Sequence, residues 1–291
     1  MFDNSIAVAS NDINGIDYIQ MRAHLMETFS LIDCDRRSDV TNMKDFSTLH
    51  EITKSFYRSA FSNVYENYVP LYHSVWKQRL KDLKIVDNIH QDGGVHYFSR
   101  NGYQSRMITI WTNIYKDDFN NLSDSDLGIF VIDNKDPVNQ YLYEEMEKAN
   151  THFFKKRDGE IASCMYVAGP VLKCDTTKLN QTYFEYKEGT SIMFNSHLLH
   201  GSKRFHGDLN KFSSGELDKF RMSLTSVWLH KEDLDYSILS LPESKYEEIY
   251  LSRIERSLWA EVKTYFKEAC ETENFRLTQI KGLIEKHLSC L

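Results

Sequence analysis

Ile89-His90-Gln91-Asp92-Gly93-Gly94 is the stretch on which the reading turns, because it sets a metal-ligand pair at the end of a strand. In extended backbone, residues i and i+2 point to the same face. His90 and Asp92 can therefore reach one cation together, with Gln91 directed the other way. A neutral imidazole and a hard carboxylate suit a divalent first-row metal, and two ligands require a third. Alone, the pair has little weight. About one His-x-Asp is expected by chance at this His and Asp content, and a second occurs at His206-Gly207-Asp208. The residues downstream separate the two.

Glu188-Gly189-Thr190-Ser191-Ile192-Met193-Phe194 reads as a turn and then a strand, which ends in Asn195-Ser196-His197-Leu198-Leu199-His200-Gly201-Ser202. A histidine just past an apolar strand and before a small Gly-Ser can face the interior while the chain turns away. His200 is thus the candidate third ligand, and His197 is its rival. Two histidines and a carboxylate leave up to three positions open on one face of a metal, as redox chemistry requires. A closed structural zinc site leaves none. Further on, Arg221 and Ser223 share a face of a later strand. A guanidinium binds a carboxylate through two parallel hydrogen bonds and stays charged when buried. Arg221 therefore suits the far end of a dicarboxylate cosubstrate whose near end chelates the metal; an ordinary ion pair with a surface acid is its plain alternative.

Around these residues the pattern predicts a mainly β core flanked by helices, an α+β arrangement. Residues 1–84 read as helix with loops: one helix over Ile16–Ile32, another from about Leu49 to Pro70, and its continuation from Leu71 to Leu83 beyond a proline break. Strands are predicted at Ile85–Ile89, Arg106–Tyr115, Leu127–Asp133, Cys164–Leu172, Thr182–Tyr186, Thr190–Phe194 and Phe220–His230. Val138–Arg157 reads as a charged helix, and Asp117–Asp126 as a polar loop. Many short strands with turn signals and flanking helices point to a β-sandwich or jelly-roll core. After Pro242, Tyr246–Cys270 and Asn274–Leu288 are amphipathic; they pack either on the core or in a homodimer contact.

Composition narrows the function. The 291 residues are 41% hydrophobic and 13% aromatic, enough for one large domain of residues 1–291: a helical part over 1–84, the core over 85–230 and a helical part over 231–291. The formal charge of -7 is interspersed, which argues against a nucleic-acid groove. No apolar run approaches the roughly 18 residues a membrane span needs, and Met1–Asn11 lacks the pattern of a secretory signal. Cys34, Cys164, Cys174, Cys270 and Cys290 contain no Cys-x-x-Cys and fit free thiols in a reducing cytoplasm.

The set His90-Gln91-Asp92, Thr109-Ile110-Trp111, EGTSIMF at 188–194, LLHGS at 198–202 and Arg221-x-Ser223 resembles the phytanoyl-CoA dioxygenase family over residues 85–230. That resemblance implies a double-stranded β-helix (a jelly roll, cupin-like), and an iron enzyme that uses 2-oxoglutarate and O2. It implies that His90, Asp92 and His200 bind Fe(II). It also implies that Thr109, Trp111, Ser202, Arg221 and Ser223 line the 2-oxoglutarate site, with Gln91 at the middle position of the ligand triplet. Arg221 follows His200 by 21 residues, further than the family usually shows; Arg204 is the nearest alternative, and the insertion Arg204–Lys219 is a candidate active-site loop. Because the ligand carboxylate is present, hydroxylation is the expected outcome, with succinate and CO2 released, though the same ligand set also supports desaturation or ring closure. His96, Tyr97, Phe98, Tyr103, Asn113, Tyr115 and His197 are candidates for the pocket wall and suit a small polar substrate, such as a sugar, an amino-acid derivative or a natural-product intermediate. Two other functions fit parts of the pattern: a Zn(II)- or Mn(II)-dependent hydrolase or isomerase on the same jelly roll, and a β-sandwich binding module without catalysis.

Overall fold

A computed structural model of the chain describes residues 6–29, 38–39, 46–83, 89, 91–92, 98–101, 105–119, 122–123, 126–148, 178–202, 207–245 and 266–291. In chain order these form β1 (Ala7–Ser10), α1 (Ile16–Phe29), β2 (Ser38–Asp39), α2 (Phe46–Ala60), α3 (Ser62–Asn67), β3 (Tyr68–Arg79) and α4 (Leu80–Leu83). There follow β4 (Met107–Lys116), β5 (Ile129–Ile132), α5 (Pro137–Lys148), β6 (Thr182–Phe184), β7 (Thr190–Asn195) and β8 (Leu199–Ser202). The chain closes with α6 (Ser214–Leu217), β9 (Phe220–His230), α7 (Tyr236–Leu239) and the C-terminal helix α8 (Phe266–Ser289). Six strands pair in the order β1-β7-β4-β9-β3-β2 and three in the order β6-β5-β8. Every pairing is antiparallel.

The period-2 alternation of β9 divides the core. Met222, Leu224 and Trp228 face outward and join Ile108, Ile110 and Val75 from neighbouring strands against Tyr18, Met21 and Leu25 of α1 and Leu49, Phe56 and Tyr57 of α2. Full burial of each large apolar side chain contributes about 1.5–3 kcal/mol, so this layer anchors both helices. On the opposite face, Trp111, Ile192 and Phe194 meet Ile129 and Val131 of the smaller sheet together with Leu198. The far side of that sheet, through Phe130, Ile132 and Leu199, is covered by Leu142 of α5 and by Ile89 and Leu179. In α8, Leu277, Ile280 and Ile284 recur at helical spacing and pack with Val69, Leu71, Val227 and Leu229. These residues of the helix are thus covered within the chain.

Several expectations are corrected. The segment Leu71–Leu83 is a strand up to Arg79, and only its tail, α4, is helical. Helix-like spacing misleads there because β3 is buried on both faces, which hides the alternation. Pro70 marks a register shift against β9 rather than a helix break. Residues 1–84 also contribute β1 and β2, strands too short to read against the helical background. His200 lies inside β8 rather than in a turn: the chain reverses at Asn195–Leu198, where the Leu198 N–H donates to the Asn195 carbonyl (2.9 Å). The expected strands Ile85–Ile89 (except Ile89) and Cys164–Leu172, Arg157 with the end of its helix, residues 246–265, and Cys34, Cys164 and Cys174 lie outside the described residues. The described residues form two facing sheets and no closed barrel. Among them, no helix is long and apolar enough to cross a membrane.

Two glycines are dictated by the backbone. Gly189 has φ +76, the left-handed region an L side chain avoids, at the turn that launches β7. A Cβ on Gly128 would lie 1.8 Å from the Phe184 carbonyl, so only glycine permits β5 and β6 to approach there.

Three fully buried histidines join helices to sheet: His50 of α2, His73 of β3 and His287 of α8. His50 Nδ1 lies 3.2 Å from His73 Nε2, and His73 Nδ1 lies 2.6 Å from the Ser226 hydroxyl. His287 Nε2 donates to the Tyr65 and Tyr68 carbonyls at 3.1 Å. Burial holds all three neutral, lowering His50 to about 3, His287 to about 4 and His73 well below the ordinary value. Unfolding lets them bind protons at the ordinary value near 6.5. The unfolded chain therefore gains protons as pH falls below 6.5, and stability falls with it. Each histidine should cost about 2 kcal/mol between pH 7 and pH 5. Urea denaturation at the two pH values measures this, and His287→Gln, which keeps a donor but does not titrate, should remove about that share of the difference.

Candidate active site

His200 stands on β8 opposite Val131 of β5, and Ser202 stands opposite Ile129. Directly paired residues share a face, so both side chains point between the sheets with Val131 and Ile129. The ring of Phe194 packs against the His200 ring, with centroids 4.7 Å apart. His200 Nδ1 is 3.0 Å from the Leu198 carbonyl. It can only donate there, which leaves the lone pair of the neutral ring on Nε2. That nitrogen lies 3.2 Å from Asp92 Oδ2. Two ligands bound to one first-row ion at about 2.0–2.2 Å and at right angles are about 3.0 Å apart, so the spacing fits neighbouring positions on a shared metal.

Asp92 is held from several sides. Its backbone N–H donates to the Ser196 carbonyl (2.9 Å). Tyr72 of β3 donates its hydroxyl to Oδ1 (3.0 Å), and Thr109 of β4 donates to Oδ2 (2.9 Å). Tyr72 and Thr109 both pair with Val227 of β9, one on each side. They stand about 9–10 Å apart across the central strand, and the carboxylate sits between them. With its O–H directed to Asp92, Thr109 accepts from the Ser196 hydroxyl (2.9 Å). Gln91 donates to the His197 carbonyl (2.5 Å) and so pins the turn ahead of β8. The His197 ring nitrogen Nε2 lies 3.2 Å from the Ser105 carbonyl. Of the two rival histidines, His200 is the one that meets Asp92. Burial disfavours the His200 cation, but the adjacent Asp92 carboxylate and the Leu198 carbonyl outweigh burial and hold it above the ordinary imidazole value.

From Val227 the inward face continues down β9 through Thr225 and Ser223 to Arg221, with rows about 6.7 Å apart. Thr225 lies beside Ser74 and Trp111, and Ser223 beside Trp76 and Asn113. Trp111 Nε1 donates to Asn113 Oδ1 (3.0 Å), which turns the Asn113 amide nitrogen away from it. Ser74 Oγ, Thr225 Oγ1 and Asn113 Nδ2 are buried without a hydrogen-bond partner among the described residues. Each such atom costs about 1–3 kcal/mol, a cost a polar ligand in this trough would offset. At the far end, Arg221 is fully buried. It donates from Nε (2.9 Å) and Nη2 (2.5 Å) to Gln78 Oε1 and from Nη1 to the Gly128 carbonyl (3.4 Å), and its guanidinium lies over the Tyr186 ring.

The structure thus brings Asp92, Thr109, Trp111, His200, Ser202, Arg221 and Ser223 to the space between the sheets. Phe98 is instead packed in the cluster of Leu234, Ile280 and Leu283, and so is no pocket wall. Tyr115 is also corrected: a bulge after Asn113 reverses the alternation, and the ring packs outward on Phe220. His90, His96, Tyr97, Tyr103 and Arg204 lie outside the described residues. Tyr72, Ser74 and Gln78 were not anticipated. Their even spacing is the signal that could identify them, and a helical reading of Leu71–Leu83 hides it.

No protein-family model and no curated protein matches the chain. Its structure is similar to solved structures at low identity. The non-heme alpha-ketoglutarate-dependent epimerase SnoN from nogalamycin biosynthesis is 9% identical, with 78% of each chain covered and a TM-score of 0.45. HygX from Streptomyces hygroscopicus, solved with nickel and 2-oxoglutarate bound, is 10% identical over 78% of this chain and 83% of its own, with a TM-score of 0.43. EvdO2 from Micromonospora carbonacea var. aurantiaca is 11% identical over 78% and 86%, with a TM-score of 0.41. Likenesses this distant transfer no activity.

Proposed function

We propose that the chain is an Fe(II)- and 2-oxoglutarate-dependent oxygenase of the phytanoyl-CoA dioxygenase kind, hydroxylating an unactivated C–H bond of a small polar metabolite. The observation that carries this reading is the 3.2 Å approach of His200 Nε2 to Asp92 Oδ2 at the head of a buried polar trough. In this reading the facing sheets are the two halves of a double-stranded β-helix. His90, two residues before Asp92 in the sequence, would supply the third metal ligand. An imidazole pair with one carboxylate suits iron and keeps positions open for a chelating cosubstrate and O2.

The trough suits a dicarboxylate because it is lined with donors. Asn113 Nδ2 and the hydroxyls of Ser74 and Thr225 can donate along its length, and Arg221 with Ser223 receives the distal carboxylate. Trp111 orients Asn113 and walls the space on the β4 side. Ser202, on the inward face of β8, adds a hydroxyl from the opposite sheet. Bound iron would supply the redox chemistry, with O2 as the oxidant: one oxygen atom would end in succinate as CO2 is released, and the other in the hydroxylated substrate. The protein's task is to hold these groups and exclude water while one C–H bond is aimed at the metal.

Anaerobic Fe(II) and 2-oxoglutarate should together produce a weak visible charge-transfer band, and a panel of small polar metabolites should then be scored by succinate release. His90→Ala and Asp92→Ala should each abolish the band. A well-folded wild-type protein that binds iron without the band, or an activity indifferent to 2-oxoglutarate, would point to the hydrolase or isomerase and sink this reading. Arg221→Lys keeps the charge but loses the planar fork. It should weaken 2-oxoglutarate by at least about tenfold, as expected for a lost charged hydrogen bond, while leaving metal uptake intact; isothermal titration of both ligands separates the two effects.

A further inference from the structure

Asp92 offers a metal two oxygens, and the fold treats them differently. Oδ2 faces His200 Nε2 at 3.2 Å and accepts the Thr109 hydroxyl. Oδ1 is engaged by the Tyr72 hydroxyl at 3.0 Å, from a strand on the other side of Val227. A carboxylate can bind a cation through one oxygen or both, and the second mode uses one more coordination position. For a metal that must keep positions open, that mode removes one of them.

We propose that Tyr72 is a positioning residue that holds Asp92 to single-oxygen coordination, so keeping a metal position free for a ligand. The inference rests on the metal site proposed above but not on the identity of the cosubstrate. Tyr72 does this without touching the metal, by occupying Oδ1 from a rigid strand. β3 is paired with β9 along nearly its whole length, so the phenol is aimed by backbone register. Thr109 cannot substitute, because its single proton is already committed to Oδ2 and it stands on β4. Groups that orient a metal ligand in this way typically alter metal affinity by about 10- to 100-fold when removed.

Cobalt(II) serves as the probe, since its d–d absorption reports coordination number and needs neither turnover nor O2. Wild type and Tyr72→Phe are titrated with Co(II), and circular dichroism and thermal melting confirm that both are folded. The phenylalanine variant should bind Co(II) about 10- to 100-fold more weakly, with a weaker d–d band as Asp92 adds its second oxygen. An unchanged affinity and band would overturn the role of Tyr72 while leaving the metal site standing. Failure of the wild type to bind Co(II) would overturn both. If Tyr72→Phe does not fold, 4-aminophenylalanine at position 72 keeps the ring and a hydrogen-bond donor: an affinity and band like those of the wild type are expected, and a weaker band with the donor kept counts against the proposal.

Discussion

One carboxylate joins the two sheets of this protein. Asp92 receives hydroxyls from β3 and β4 of the larger sheet and faces the imidazole of His200 on β8 of the smaller one. Its backbone is tied to Ser196, at the turn between the sheets. Burying a carboxylate is costly unless it is hydrogen-bonded and paired, and here it is both. The groups that satisfy it are the groups that place it, so the packing of the sandwich and the geometry of the site are one constraint.

That constraint depends on register. A slip of one residue in the pairing of β3 with β9 would turn Tyr72, Ser74 and Gln78 to the outer face, and would exchange them for His73 and Val75. The outer face is specified against this by its own chemistry. His73 bonds Ser226, and Trp228 packs among Tyr57, Tyr65 and His287. At the end of β9, Asp233 takes the backbone N–H of Arg106 (2.7 Å) and its guanidinium, holding the start of β4 against the close of β9. Burial opposes the Asp233 charge, but the Arg106 bonds prevail and hold the carboxyl below its usual range. The inward row of polar groups is therefore aligned by apolar and ionic contacts that do no chemistry.

The inward polar trough also shows what this arrangement gives up. Ser74, Thr225 and Asn113 stand where apolar side chains would pack and stabilise. Their burial without partners among the described residues weakens the core along one line, from Asp92 to Arg221. Lines of this kind mark where a fold has been shaped for a ligand rather than for its own stability.

How much was legible differs by element. β4, β5, β7 and β9 were readable because alternation or a short apolar run is a local property. β3 was not, since a strand buried on both sides loses its polar alternation and leaves spacing that also suits a helix. Single residues followed the same division. Asp92, His200 and Arg221 could be named from their type and neighbours, whereas Tyr72, Ser74 and Gln78 are ordinary residues until β3 is set beside β9. Tyr115 and Phe98 were misplaced because a bulge and a helix contact, respectively, decide their faces. The sequence by itself determined a β core flanked by helices, because periodicity is carried along the chain, and through residue chemistry it offered candidate side chains for a metal and an anion. Only the tertiary structure decided that His200 rather than His197 meets Asp92, and which hydroxyls hold that carboxylate. Those contacts join residues up to 108 positions apart, and pairing between strands, not proximity in the chain, sets them.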